Sequence, residues 1–167
     1  MSICEPLAAE MQHEAKTTRR LLERVPEGSF GWKPHEKSMS LGRLAAHVAE
    51  LPELVIPALT RDELDFAAGD FKPFEPQSTA ELLEKFDRNI SAAVEALRRQ
   101  PDDRMGEKWK LRSGDRVLFE MPRAMVVRFV GLNHVVHHRG QLSVYLRLLD
   151  VPLPSIYGPS ADEAPGR

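Results

Sequence analysis

A chain of 167 residues is long enough to bury a full hydrophobic core, and one domain spanning residues 1–167 is the expectation. Its 23 basic and 25 acidic residues, interleaved to a formal charge of -2, lack the basic footprint of a nucleic-acid binder. No charge-free apolar run reaches membrane-spanning length, and the opening Met1-Ser2-Ile3-Cys4-Glu5-Pro6 does not read as a signal peptide, so a cytoplasmic protein is expected. A single cysteine, Cys4, allows no internal disulfide and no cysteine-based zinc site.

The first helix is predicted from about Ile3 to Val25. Leu7, Met11, Ala15, Thr18, Leu21, Leu22 and Val25 recur at three- and four-residue spacing, and Pro26 with Gly28 ends the run. His13 falls off this stripe and reads as a surface residue. The following loop carries Phe30, Trp32 and His35; its aromatics cap the core or line the mouth of a pocket, and His35 lies in polar surroundings. A second helix starts near Ser38 or Ser40, either of which can cap free N–H groups. Leu41, Leu44, Ala45, Val48, Leu51 and Val55 form its apolar arc, with a kink or turn at Pro52. His47 sits at the arc's edge, about 40° from Leu51 at about 100° per residue, with Glu50 beside it. Residues 62–77 read as connection, with a short turn at 63–67.

Ser78-Thr79-Ala80-Glu81 matches a capping box and opens a third helix, whose stripe is Ala80, Leu83, Phe86, Ile90, Val94 and Leu97. Between Asp102 and Met121 the period changes. Trp109 and Leu111 alternate with charges, Ser113-Gly114-Asp115 turns, and Val117 and Phe119 alternate again, which predicts a short hairpin or extended excursion. Pro122 is placed to begin the fourth helix. On it Val127, Gly131, His134, His138, Gln141, Tyr145 and Leu148 share a stripe, while Val126, Phe129 and Val144 make a second apolar face. Such a helix is central or meets a partner subunit. The Pro- and Gly-rich tail from Val151 is expected to fray over roughly its last eight residues.

His134 and His138, four apart on a helix, present two imidazoles on one face, where they can share a metal ion. Buried without partners, their ring nitrogens are costly. The alternatives are a metal completed from another helix or a polar network with buried water. His47, the interior-facing histidine elsewhere, completes a metal site or is a core-edge histidine with one hydrogen-bonded nitrogen. Three imidazoles would leave a position for water or substrate. They suit zinc, nickel, iron or copper; zinc or nickel is the expected ion, with iron or manganese behind. His137 points away, as a surface or supporting residue. Glu50 and Gln141 are candidates to orient the ligand rings or to act as acid or base, and Trp32, Trp109 and Tyr157 are candidates for a pocket rim.

The run His134-(x)3-His138-Arg139-Gly140-Gln141-Leu142, then Tyr145-Leu146-Arg147 and Pro154-(x)2-Tyr157-Gly158, resembles the carboxy-terminal signature of the DinB-like (YfiT-like) family. Leu44-(x)2-His47-(x)2-Glu50 resembles that family's first histidine motif. The resemblance implies an all-α four-helix bundle of up-down-down-up course, with a hairpin-like excursion before the last helix. It also implies a divalent metal held by His47, His134 and His138, and a homodimer. Related proteins include metal-dependent thiol S-transferases. The expected activity is therefore a metal-dependent enzyme, a thiol S-transferase or hydrolase, that activates water or a small-molecule thiol. A non-catalytic bundle that binds a structural metal, or dimerises without one, is the alternative. Cys4 has no cationic neighbour to make it a reactive thiolate, so any thiol would come from outside.

Overall fold

The computed structural model describes residues 2–69 and 72–163. Helix α1 is Cys4–Leu22, and it buries Leu7, Met11, Thr18, Leu21 and Leu22, packing mainly along the later helix α4, Thr79–Arg99. Between them come α2, Leu41–Glu50, and α3, Val55–Thr60. Ser40 is the residue that caps α2, its hydroxyl accepting from Arg43 N at 3.2 Å. Pro52 lies in the tight 3₁₀ turn Leu51–Leu54 that separates α2 from α3, because a proline can neither donate to the preceding turn nor clear its carbonyl. At α4 the Ser78 hydroxyl accepts from Glu81 N at 3.2 Å. The Glu81 carboxylate reaches back one residue further than a capping box requires, to Gln77 N at 2.8 Å. The last helical run comprises α5, Arg123–Val126, a π-helical segment, Val127–Asn133, and α6, His134–Leu148.

The all-α expectation is corrected by a three-stranded mixed sheet. Strands β2, Lys108–Ser113, and β3, Arg116–Pro122, form the expected hairpin. A third strand, β1, Glu63–Asp65, comes from the stretch read as connection and pairs parallel to β2. The molecule is thus a helical bundle with a small sheet at one side. The reason lies in side-chain chemistry that no apolar period reveals. Arg112 on β2 reaches back to Glu63 at 2.8 Å and Asp65 at 2.6 Å. Asp65 also accepts from Gly114 N in the hairpin turn at 2.9 Å. In the hairpin Leu111 pairs with Phe119 and Arg112 with Val117, so Leu118 is an extra, bulged residue that bends the ribbon over the helices.

Two buried clusters make the bundle core. One joins Leu21, Leu22, Leu44, Val48, Phe86, Val135 and Leu142; the other joins Leu7, Met11, Val55, Ala93, Leu97 and Val127. Gly131 serves close packing of the last helical run against α3 and α1. A Cβ there would lie 2.4 Å from Val55 Cγ2 and 3.2 Å from Met11 Cε. The π segment that contains it ends with the N–H of His134 bonded to Phe129 O, five residues back, which shifts the helix phase just before the histidines. At the other end of α6, the described part of the tail is tied down. Leu153 N donates to Asp162 at 2.8 Å and Ser155 N to Glu163 at 2.8 Å. Of the stretch expected to fray, residues 164–167 lie outside the described residues. No helix among the described residues is long and apolar enough to cross a membrane.

The sheet is fastened to the bundle by Arg123, which is 1% exposed. Its guanidinium donates to Ala58 O at 2.8 Å and to Arg61 O, carbonyls at the open end of α3, and to Asp62 at 2.7 Å and Glu107 at 3.1 Å. A helix leaves its last carbonyls without partners, and here one buried side chain supplies them. Replacing Arg123 by Met is expected to cost about 3 kcal/mol, the scale for stranding buried acceptors and breaking a buried charged network. Urea unfolding measures this; a loss below about 0.5 kcal/mol, the level of an ordinary surface change, would show that the arginine does not hold sheet and helices together.

Candidate metal centre

Three histidines from two helices meet in the structure. His47 comes from α2, His134 from the first residue of α6, and His138 from the next turn of α6. Packing of Leu44, Ala45 and Val48 with Val135 and Leu142 brings the helices together. Each histidine offers one ring nitrogen, and these lie within 4.8 Å of one another. Nε2 of His138 and Nε2 of His134 are 2.8 Å apart. His47 stands roughly edge-on to both, with ring centroids 5.2 Å from His134 and 4.6 Å from His138.

The surroundings keep two of these rings neutral. Burial pushes the His134 pKa down to about 4, helped by the charge that His138, His47 and His137 would carry. Burial likewise lowers His138, as do His47 and His137, against the opposing hydrogen bond that His138 donates to Gln141. That bond joins His138 Nδ1 to Gln141 Oε1 at 2.7 Å. With the amide oriented this way the oxygen can only accept, so Nδ1 carries the proton and Nε2 presents a lone pair to His134. Neutral imidazoles with free lone pairs are what a divalent ion requires.

His47 Nδ1 is buried with no hydrogen-bond partner, and it lies 3.9 Å from Glu50 Oε2. Glu50 is itself 2% exposed. Its carboxylate accepts from Arg43 Nη2 at 2.8 Å and from the N–H of Phe74. Burial alone would raise its pKa, but His47, the Phe74 N–H and Arg43 outweigh that and hold it below the usual glutamate value. Glu50 is therefore a clamped anion beside His47. The three ring nitrogens within 4.8 Å of one another, the two abutting Nε2 atoms and the neutral state of His134 and His138 fit a divalent ion held by His47, His134 and His138.

His47 and His134 form part of the wall of a cavity of about 350 Å³, with Arg43, Phe66, Phe119 and Phe129 among its other residues. Trp32, Trp109 and Tyr157 are not in that wall. Trp109 is buried at 2% exposure with Ala58 and Val126. Trp32 packs edge-on against Tyr145, at 5.7 Å. The exposed Tyr157 donates to Glu14 at 2.9 Å, with Arg139 over its ring. His137 is exposed, its ring 4.8 Å from that of His138, and His13 and His35 are exposed away from the cluster. Arg43 and the three phenylalanines escape a reading of the sequence. Arg43 has a signal: it lies four residues before His47 and seven before Glu50, on one helix face. The pairing of Leu111 with Phe119 could mark one face of the hairpin, but nothing local links Phe66 to Phe129.

A helical bundle with a small side sheet and a half-buried three-histidine cluster is the class of protein these observations define. The chain belongs to the DinB family, whose model matches residues 2–166. It is 26% identical over 155 residues to the uncharacterized protein YrdA of Bacillus subtilis (strain 168), covering 91% of this chain and 86% of that protein. In fold it is similar to a DinB-like protein from Bacillus cereus ATCC 10987, with a TM-score of 0.70 and 23% identity over 90% of this chain and 95% of that one. It is similar also to the DinB-like protein YjoA of Bacillus subtilis, with a TM-score of 0.69 and 16% identity over 90% and 96%.

Cys4 stands apart from this site. It is 3% exposed in the Leu7–Met11 cluster. Burial pushes its thiol up to about 12, helped by a hydrogen bond to Asp102 and by that group's charge. A thiol so held is no nucleophile at neutral pH. A thiol-reactive disulfide dye at pH 8 is expected to leave the native protein unlabelled for many minutes and to titrate the single cysteine at once in urea. Rapid labelling of native protein would place Cys4 in an accessible setting and reopen it as a reacting group.

Proposed function

We propose that the protein is a metal-dependent enzyme that binds a divalent ion, zinc or nickel first and iron or manganese next, through His47, His134 and His138. Its reaction is a thiol S-transfer or a hydrolysis. The observation that carries this reading is that His47 and His134 are both ligand candidates and cavity wall, so the centre opens onto space for a substrate. A structural metal site is closed, whereas a catalytic one keeps a position free. A divalent ion there supplies the Lewis acidity that makes water or an external thiol nucleophilic at neutral pH.

The protein's own groups do the rest. Gln141 fixes the His138 tautomer, and Glu50, held by Arg43 and Phe74, fixes the side from which His47 is supported. With both its oxygens engaged and its charge favoured, Glu50 sets a fixed negative charge beside His47 rather than shuttling protons. The buried, high-pKa Cys4 leaves a small-molecule thiol as the sulfur source in the S-transfer case.

Metal content by mass spectrometry on tag-free protein tests the centre. Wild type is expected to hold about one ion per chain after reconstitution with zinc, nickel or manganese, and His134→Ala to lose it while keeping its helical circular dichroism. No ion in either protein would turn the three histidines into a buried polar network and remove the basis for the enzyme reading.

Of the second apolar face of the last helix, Val126 is buried and Phe129 lines the cavity; its Val144, together with Leu148 from the histidine stripe, supports a homodimer. Val144 and Leu148 are 57% and 58% exposed. They follow Gly140 at four-residue spacing, and a Cβ added to that glycine would meet nothing within 4 Å. A two-fold contact sets this self-complementary stripe against its own copy. Sedimentation is expected to show a dimer that the double change Val144→Glu, Leu148→Glu converts to monomer; a wild type that is monomeric at tens of micromolar would end this proposal.

A further inference from the structure

The cavity beside the histidines has a chemistry of its own. Leu54, Phe66, Leu111, Phe119, Phe129 and Val130 supply its apolar wall, and the Phe119 and Phe129 rings meet edge-on at 6.0 Å. At about 350 Å³ it has the size of a small-molecule site. Aromatic edges and faces of this kind favour a flat or branched apolar body. The one permanently charged side chain in the wall is Arg43.

Arg43 is incompletely used. Its Nη2 donates to Glu50, but its Nη1 is buried and has no hydrogen-bond partner. Glu50 cannot turn to serve both, because its other oxygen holds the Phe74 N–H. A charged donor left unpaired in a buried place is costly, and an acceptor that reaches it recovers that cost. A carboxylate oxygen makes the stronger, charge-assisted bond. A phosphate dianion would need several donors to offset its desolvation, and this wall offers one.

We propose that the cavity takes a ligand with an apolar aromatic or branched-alkyl body and a single carboxylate that pairs with Arg43. This deepens the enzyme reading and rests on it for the reacting end of the substrate. Arg43 lies one helical turn before His47, so the anchored carboxylate and the histidine centre share one side of the cavity. The substrate is then an apolar carboxylic acid, oriented by Arg43 with its reacting carbon toward the histidines.

Isothermal titration calorimetry with naphthylacetate and its neutral counterpart naphthylacetamide tests this, first on chelator-treated protein so that no metal can bind the carboxylate. Wild type is expected to bind the acid about tenfold tighter than the amide, the fold-change of one charged hydrogen bond. Arg43→Gln should erase that preference and leave the amide affinity unchanged. Should Arg43→Gln unfold for want of a partner to Glu50, Arg43→Lys keeps a cation there and is expected to reduce the preference to about threefold or less, since one compact ammonium replaces the forked donor. Equal binding of acid and amide to wild type, or a preference that survives in the variants, overturns the Arg43 assignment. Binding of neither overturns the ligand class. A preference that appears only in zinc-loaded protein assigns the carboxylate to the metal and also overturns it. Failure of the protein to take up zinc defeats the enzyme reading instead, and leaves the chelator-treated result standing.

Discussion

Two imidazole nitrogens held 2.8 Å apart on a partly buried helix face are the constraint around which the rest of the structure is arranged. Polar nitrogens removed from water need partners, and the fold provides them asymmetrically. Gln141 satisfies the far side of His138, whereas the near sides face one another and His47. The neutral state of His134 and His138 follows from the same burial. The arrangement is one that could hold a positive charge among the three rings. His47 joins them from α2, with a ring nitrogen within 4.8 Å of theirs and the anionic Glu50 3.9 Å from its Nδ1.

What turns a donor set into a site with access is the part of the molecule outside the helices. The hairpin contributes Leu111 and Phe119 to the cavity, the turn after β1 contributes Phe66, and the π segment contributes Phe129 and Val130. Arg123 ties these pieces together, since it joins the close of the hairpin to the end of α3. The π turn has a direct role. Its last bond runs from the His134 N–H to Phe129 O, so the backbone that sets the angle of the His134 ring also sets the aromatic wall. A regular α-helix would offer His134 the Val130 carbonyl instead and rotate wall and histidine relative to each other.

The helices and the histidine cluster are legible in the sequence because each leaves a periodic or local trace. Apolar spacing marks α1, α2, α4 and α6. Ser40 and Ser78 mark two starts, and the four-residue interval puts His134 and His138 on one face. The sheet is legible only in its hairpin half. β1 is three residues long, Glu63-Leu64-Asp65, with no buried member, and it is held by Arg112 and Gly114 from about fifty residues away, so no window contains the cause. The cavity rim is hidden for a related reason. Trp32, Trp109 and Tyr157 stand out as large aromatics in loops and strands, but burial claims Trp109, Tyr145 claims Trp32 and Arg139 claims Tyr157. The residues that line the space are phenylalanines from three separated segments, joined only by tertiary packing.

The carboxy-terminal run that carries the family resemblance divides into two kinds of residue once it is folded. His134, His138 and Gln141 belong to the centre. Arg139 points elsewhere: it is 1% exposed, pairs with Glu14 at 2.7 Å, and donates to Thr18 Oγ1 at 3.1 Å. Tyr157 closes the network by stacking on Arg139 and donating to the same Glu14. A buried ion pair repays its desolvation only when geometry and further hydrogen bonds are good, and here α1, α6 and the tail each contribute one part. The lock fixes α6 against α1 on one side while His134 and His138 face α2 on another. The distance between the histidines of α6 and His47 therefore depends on an arginine that touches neither cavity nor ligand atoms. In this chain the residues around the histidines are a fastening as much as a site, and Arg43, which lies outside that run, is the charged group that faces the space where chemistry would occur.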